Sequence, residues 1–163
     1  MTQRLLDIAG IGKERLHLEW LSSAEAQRFV DIASMVTTSI RRKGKIDNEA
    51  VMMELEAAEM TLSCEEVRWL VGKQITITTK GDVYGRSWNE EKYLEKFNNI
   101  LEREYHKNLI CLAIKQGHTS VRDISKKTKL EVLRVSYLLA DLEKTSRVEF
   151  AGMNNRIPAF AAL

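Results

Sequence analysis

Leu16, Leu18 and Trp20 alternate with His17 and Glu19, the period-two pattern of a short, half-buried strand. A lone strand leaves its backbone donors and acceptors unpaired and needs neighbours beside it. The next segment with strand character begins only at Gln74. Helix signals flank the pattern on both sides. Gln3–Ala9 reads as a helix stopped by Gly10-Ile11-Gly12, and Ser22 with Glu25 forms an S-x-x-E box at the start of another. In that second helix Phe29, Ala33, Val36 and Ile40 share one face, and Arg41-Arg42-Lys43 complements its C-terminal dipole before Gly44. Helix, strand, helix is the back end of an α/β unit. Residues 1–45 therefore read as part of a domain whose other strands lie before Met1 or on another chain.

The chain of 163 residues suits one ordinary domain or two small ones, and 44% hydrophobic with 29% charged residues is a globular balance. No apolar run approaches the roughly 20 residues of a membrane span. The first sixteen residues lack the apolar core of a secretion signal, so a soluble cytoplasmic protein is expected. Cys64 and Cys111 are isolated, and His17, His106 and His118 show no ligand spacing. Two cysteines do not bind a cluster or structural zinc alone, and small buried thiols with ordinary histidines are the expected roles. The net charge of +2 hides an uneven spread. Residues 46–72 carry seven Asp or Glu against one Arg, whereas residues 105–163 carry ten Lys or Arg against five Asp or Glu.

Residues 46–104 read as a helical connector. Asp47–Ser63 carries a helical stripe of Val51, Leu55, Ala58 and Leu62, and Ser63 is placed to cap a further helix through Val67, Leu70 and Val71 to Gly72. Gln74–Gly85 alternates Ile and Thr around Lys80-Gly81-Asp82 and predicts a β-hairpin. Asn89 is placed to cap a long helix through Tyr93, Phe97, Ile100 and Leu101, continuing to Ala113.

Residues 105–163 are the most legible. A helix ends at Gly117, and Thr119 or Ser120 caps a short helix with Val121, Ile124 and Ser125. A turn at Thr128-Lys129 leads to a helix with Val132, Val135, Leu138, Leu139 and Leu142, followed by strands Arg147–Ala151 and Arg156–Ala161 around a turn at Gly152–Asn155. Three helices and a small hairpin are the winged-helix arrangement, a variant of helix-turn-helix. The expected fold is thus α+β and mostly helical: a partial α/β unit over 1–45, a helical connector with a β-hairpin over 46–104, and a C-terminal winged helix over 105–163.

DNA readout needs Arg, Lys, Asn or Gln projecting from the recognition helix, chiefly near its start. That helix offers Glu131, Arg134, Tyr137, Asp141, Glu143 and Lys144, and carboxylates facing phosphates are repelled. Lys126, Lys127 and Lys129, with Arg147 and Arg156 around the wing, remain able to grip a backbone without specificity. The wing, with Met153, Ile157, Pro158 and Phe160, is apolar enough to pack on another protein. Docking is favoured, and a DNA-binding transcriptional regulator is the alternative.

Gly10-Ile11, Glu14-Arg15-Leu16, Leu18-Glu19-Trp20, Ser22 or Ser23 with Glu25, and Arg28-Phe29 together form a pattern that resembles the C-terminal end of the hydrogenase iron–sulfur (delta) subunit family, typified by the delta subunit of methyl-viologen-reducing hydrogenase. The resemblance covers about the first quarter of the chain. It implies electron transfer: members carry a [2Fe–2S] cluster on cysteines and connect a donor, such as a hydrogenase or formate dehydrogenase, to a flavin-containing heterodisulfide-reductase-like subunit in electron-bifurcating assemblies. Similar subunits serve complexes that reduce aromatic acyl-CoA or methylenetetrahydrofolate. The family's cluster cysteines precede the matching segment, so none is carried over to this chain. The cluster is expected upstream of Met1, behind an in-frame selenocysteine codon for instance, or on a partner that completes a split subunit; a cluster-free relative is the third reading. FAD is expected on the partner subunit.

No His–Cys or Ser–His–Asp constellation stands in the sequence, and "GIGKER" precedes a strand pattern rather than opening a helix as a phosphate loop would. No residue qualifies as catalytic, cofactor-binding or metal-ligating. The expected protein is a non-catalytic subunit of an anaerobic electron-transfer complex, docking onto a heterodisulfide-reductase-like flavoprotein and onto other iron–sulfur, hydrogenase or dehydrogenase subunits, with no nucleic-acid partner. A small standalone adaptor is a third possibility. The candidate interface residues are Trp20, Phe29, Arg134, Tyr137, Arg156 and Phe160, although local core is the ordinary place for such aromatics, as for Trp69 and Trp88.

Overall fold

The structure is a computed structural model that describes every residue except Asp82, and every other side chain except those of Asn48 and Ala50. It is mostly helical with one small antiparallel hairpin near the C-terminus. The chain divides into two compact units, Met1–Met52 and Met53–Leu163.

In the first unit, α1 (Thr2–Ile8) ends where predicted. Gly10 adopts φ +72°, and the N–H groups of Ile11 and Gly12 return to the Leu6 carbonyl at 2.9 and 3.1 Å, satisfying an orphan acceptor of the last turn. A single 3₁₀ turn, Lys13–Arg15, follows. The predicted strand at Leu16–Trp20 is not formed: the segment is irregular and belongs to no sheet. The alternation is in the sequence, but among the described residues no strand pairs with it, and the Leu16 carbonyl instead accepts from the Gln3 amide at 2.9 Å. The partial α/β unit is therefore corrected to helices and irregular chain among the described residues.

The Ser22–Glu25 box forms only its return half. The Ser22 N–H donates to Glu25 Oε2 at 2.8 Å, which together with Arg28 holds the Glu25 carboxyl below its usual range. Helix α2 (Ala26–Lys43) begins one residue later. Lys43 closes the unit on Glu14 at 2.7 Å, and Arg15 donates to the Gly44 carbonyl at 3.1 Å.

Helix α3 (Asn48–Ser63) and α4 (Glu65–Ile75) follow. The buried stripe of α3 is Met53, Ala57 and Thr61 with Ala58, so only Ala58 of the predicted stripe is buried and Leu55 faces out. Ser63 is the last residue of α3 rather than a cap, and Cys64 occupies the N-cap of α4 without a side-chain bond.

The predicted hairpin over Gln74–Gly85 is also corrected. Helix α4 runs through Gly72, which keeps negative φ, and continues as a π-helical segment Thr76–Lys80. The alternating threonines are accommodated because Thr78 and Thr79 return their hydroxyls to the carbonyls of Gln74 and Ile75 at 2.9 and 2.6 Å. The true stop is Gly81 at φ +73°, where a Cβ would lie 3.0 Å from the Arg86 carbonyl oxygen. Asp82, the third residue of the predicted turn, lies outside the described residues.

Helix α5 (Glu90–Lys115) is capped as predicted by Asn89, whose Oδ1 accepts the Lys92 N–H at 2.8 Å. It runs unbroken for 26 residues. Helices α6 (Val121–Thr128) and α7 (Val132–Lys144) then fold against its C-terminal half. Strands β1 (Val148–Asn154) and β2 (Ile157–Ala162) pair antiparallel, with a bulge between Phe150 and Gly152. The loop is two residues, Asn155-Arg156, both at positive φ as a tight hairpin turn requires, rather than the predicted Gly152–Asn155. Gly152 serves the bulge at φ +112°. One core joins these elements: Ile110, Ile114, Ile124, Val135, Leu139 and Leu142 at its centre, with Phe160 packed at its side.

Candidate docking surface

The short helix α6 starts from Ser120, which the structure selects over Thr119. Its Oγ accepts the Asp123 N–H at 3.2 Å and donates to Asp123 Oδ2 at 2.6 Å, and the acid in the first turn suits the helix dipole. Lys129 turns the chain at φ +60°, and Ser125 Oγ donates to the Leu130 carbonyl at 2.6 Å, fixing the corner before α7.

Helix α7 buries Val135, Leu138, Leu139 and Leu142. Leu133 (66% exposed) and Tyr137 (69% exposed) lie away from that buried face, and Val132 at its flank is also exposed. Val132, expected in the core stripe, is thus outside it. Glu131 is the N-cap but makes no capping bond. Arg134, the early basic residue of this helix, lies in a shallow notch with Asn99, Glu102 and Arg103 of α5. The exposed side of the helix therefore sets Val132, Leu133 and Tyr137 among the charges of Arg134, Glu143 and Lys144.

The hairpin extends the same character. Phe150, Met153 and Ile157 are exposed, while Phe160 is half-buried and meets Phe150 edge-on with centroids 6.3 Å apart. Arg156 is exposed at φ +68° in the turn. Arg147, expected beside the wing as a phosphate gripper, is committed elsewhere: it donates to Asn108 Oδ1 and faces Glu104. Asn108 in turn donates to Thr61 Oγ1 at 2.9 Å, so this polar network ties α3 and α5 to the residue just ahead of β1. Sequence reasoning missed it; the i,i+3 pair Glu104/Lys107 just before the apolar run Leu109–Ile114 was the available signal.

In the first unit, Trp20 is 81% exposed and Phe29 is 61% exposed. Phe29 shares α2 with the exposed Val30, Met35 and Ile40, and α2 has no buried residue at all. Trp20 and Phe29 thus fall in one unit, and Arg134, Tyr137, Arg156 and Phe160 in the other.

Cys111 is buried in the core beside Ile110 and Ala113, where desolvation raises its pKa and disfavours the thiolate, whereas Cys64 stands at the N-cap position of α4 with no side-chain capping bond. Among the described residues no group of His, Cys, Asp and Glu is placed to hold a metal. No described helix is long and apolar enough to cross a membrane. No protein-family model matches the chain, and no solved structure matches it.

His106 lies on α5 with Nδ1 buried and unpartnered, its ring 5.8 Å from that of Tyr105. Burial lowers its pKa, opposed by Glu102 and aided by Arg134. The unfolded chain therefore binds the proton more tightly than the fold does. The His106 contribution to stability is full above about pH 6.5 and is lost as the pH drops from there through the folded pKa. Urea melts of His106→Leu over this range are expected to lose that slope; a slope unchanged from the parent chain would assign it to other groups.

Proposed function

We propose that this chain is a non-catalytic docking subunit of an anaerobic electron-transfer complex, and that residues 105–163 act in it as a winged helix turned to protein recognition. The observation that carries the docking role is the outer face of α7. A DNA-reading helix presents donors to base edges, whereas Val132, Leu133 and Tyr137 present carbon. Exposed aromatic and aliphatic residues on a rigid helix are the material of interface anchors. The winged-helix reading rests on the order α5, α6, α7, β1, β2 and on one further bond: the Phe160 N–H donates to the Thr119 carbonyl at 3.0 Å, joining β2 to the segment ahead of α6.

The identity of the partner comes from the resemblance of Gly10–Phe29 to the hydrogenase delta-subunit family. It proposes a heterodisulfide-reductase-like flavoprotein carrying FAD on one side and an iron–sulfur, hydrogenase or dehydrogenase donor on the other. The cluster belongs to residues outside this chain. The exposed Phe29 and Ile40 on one side of α2, and the irregular Leu16–Trp20 segment with Trp20 exposed, favour a partner there too.

The test is purification of the tagged full chain from its native source at moderate salt. The expected result is co-elution with a flavoprotein, followed by flavin absorbance. The double variant Leu133→Glu, Tyr137→Glu is expected to lose at least about a hundredfold in affinity for it while melting normally, since both residues are solvent-exposed. Elution as a free 18.7 kDa monomer, or sequence-selective DNA binding in a gel shift at the same salt, sinks the reading.

A further inference from the structure

Helix α4, the π-helical segment and α5 border an open groove of about 950 Å³, within the size range of small-molecule sites. Its floor is Tyr93 and Phe97, both buried and stacked with centroids 5.9 Å apart and 15° between their planes. The Tyr93 hydroxyl donates to the Leu70 carbonyl at 2.9 Å and so holds α5 to α4. Two indoles line the groove while still reaching solvent, Trp69 at 56% and Trp88 at 37% exposure.

Among the described residues the charged side chains that line this surface are Lys73 of α4, Arg86, and Lys92 and Lys96 of α5, and no described carboxylate lines it. Yet both helices are rich in glutamate, with Glu65 and Glu66 on α4 and Glu90, Glu91 and Glu95 on α5. Lys92 stands 5.3 Å from the centre of the Trp88 ring, and Lys96 pairs with its exposed neighbour Glu95 at 3.3 Å. Exposed ammonium groups along an apolar groove supply the positive potential that an anion with an apolar part would meet there.

The backbone singles out the same place. π-Helical segments are rare and recur at functional sites. Here Thr76 and Ile77 of that segment line the groove. The Gly81 and Trp88 N–H groups return to the carbonyls of Thr76 and Ile77 at 3.2 and 3.3 Å, which sets Trp88 beside it.

We propose that this groove binds an aromatic phosphate of the nucleotide class. Its planar ring lies on the exposed tryptophan surface, and its phosphates are held by Lys73, Lys92 and Lys96. Planar rings match the indoles, and several cations match a multiply charged group better than a single carboxylate. None of these residues is assigned to docking by α7, so the two readings fail separately.

Titration of the full chain with ADP at low ionic strength, read by calorimetry and tryptophan fluorescence, tests it. The expected Kd is of micromolar order, with quenching of Trp69 and Trp88. Lys73→Ala and Lys92→Ala each weaken binding about tenfold, Lys73→Arg and Lys92→Arg retain it, and Lys126→Ala on α6 leaves it unchanged. Both lysines are exposed, and an unchanged melting temperature checks that the variants are folded. Inorganic phosphate alone binds at least about tenfold more weakly, because it lacks the ring. The proposal is overturned if ADP shows no binding at millimolar concentration, or binds the alanine variants equally well. Phosphate binding as tightly as ADP, or an acidic helical peptide occupying the groove in place of ADP, overturns it as well.

Discussion

Glu104→Gln is expected to lower the stability of the Met53–Leu163 unit by about 3–5 kcal/mol, the usual consequence of stripping one partner from a buried ion pair. Glu104 is 4% exposed on α5. Its carboxylate receives Lys107 Nζ at 3.0 Å and Arg103 Nε at 3.3 Å, and Arg147 faces it at 3.9 Å. Lys107 is itself buried and reaches one other carboxylate, Asp141 on α7, at 3.3 Å. The Lys107 hydrogen bond is the leading reason that the Asp141 carboxyl titrates below its usual range. Glutamine keeps the shape of the side chain and removes its charge, so Lys107 would keep a single exposed counter-charge. Arg147 would lose part of what orients it toward Asn108. The measurement is urea unfolding with an unchanged m value. A loss below about 1 kcal/mol would show that water or Asp141 compensates Lys107 fully. Glu104→Leu combined with Lys107→Met is expected to recover most of the loss, since an apolar pair of similar volume carries no desolvation cost.

Where the sequence carried its own local instruction, it was legible. The Asn89 cap, the Gly10 stop and the helix pair separated at Lys129 each depend on residues within one turn of the feature, and each stands where the pattern puts it. Two failures share one cause. Leu16–Trp20 and Gln74–Gly85 both have period-two alternation, but a strand exists only if another strand pairs with it, and that is a property of the whole chain. Gln74–Lys80 took the alternative that needs no partner. Ile75 remains 73% exposed there, so no buried face rewarded the strand pattern. The α3 stripe shows a subtler limit: Thr61 is fully buried because Asn108, 47 residues away, supplies its hydrogen bond. The site was legible in kind only. Tyr137 was named from its helix position, but Leu133 beside it was not, because an exposed leucine and a core leucine look alike until the packing face is known.

Leu142→Ala separates the two faces of α7. Leu142 is fully buried among residues of α5, α6 and β1, and truncating it removes three carbons and leaves a cavity that a close-packed core closes only in part. The expected loss is about 2–5 kcal/mol, a large share of the stability of a unit this size. Docking of this variant should fall in step with its folded fraction and return when low temperature or osmolyte restores folding. Leu133→Glu with Tyr137→Glu should behave in the opposite way, with an unchanged melt and docking that no stabiliser restores. If Leu142→Ala melts like the parent chain, the packing of α7 on α5 described here is wrong. If the exposed pair melts early instead, its side chains are structural, and the outer face of α7 no longer argues for a partner.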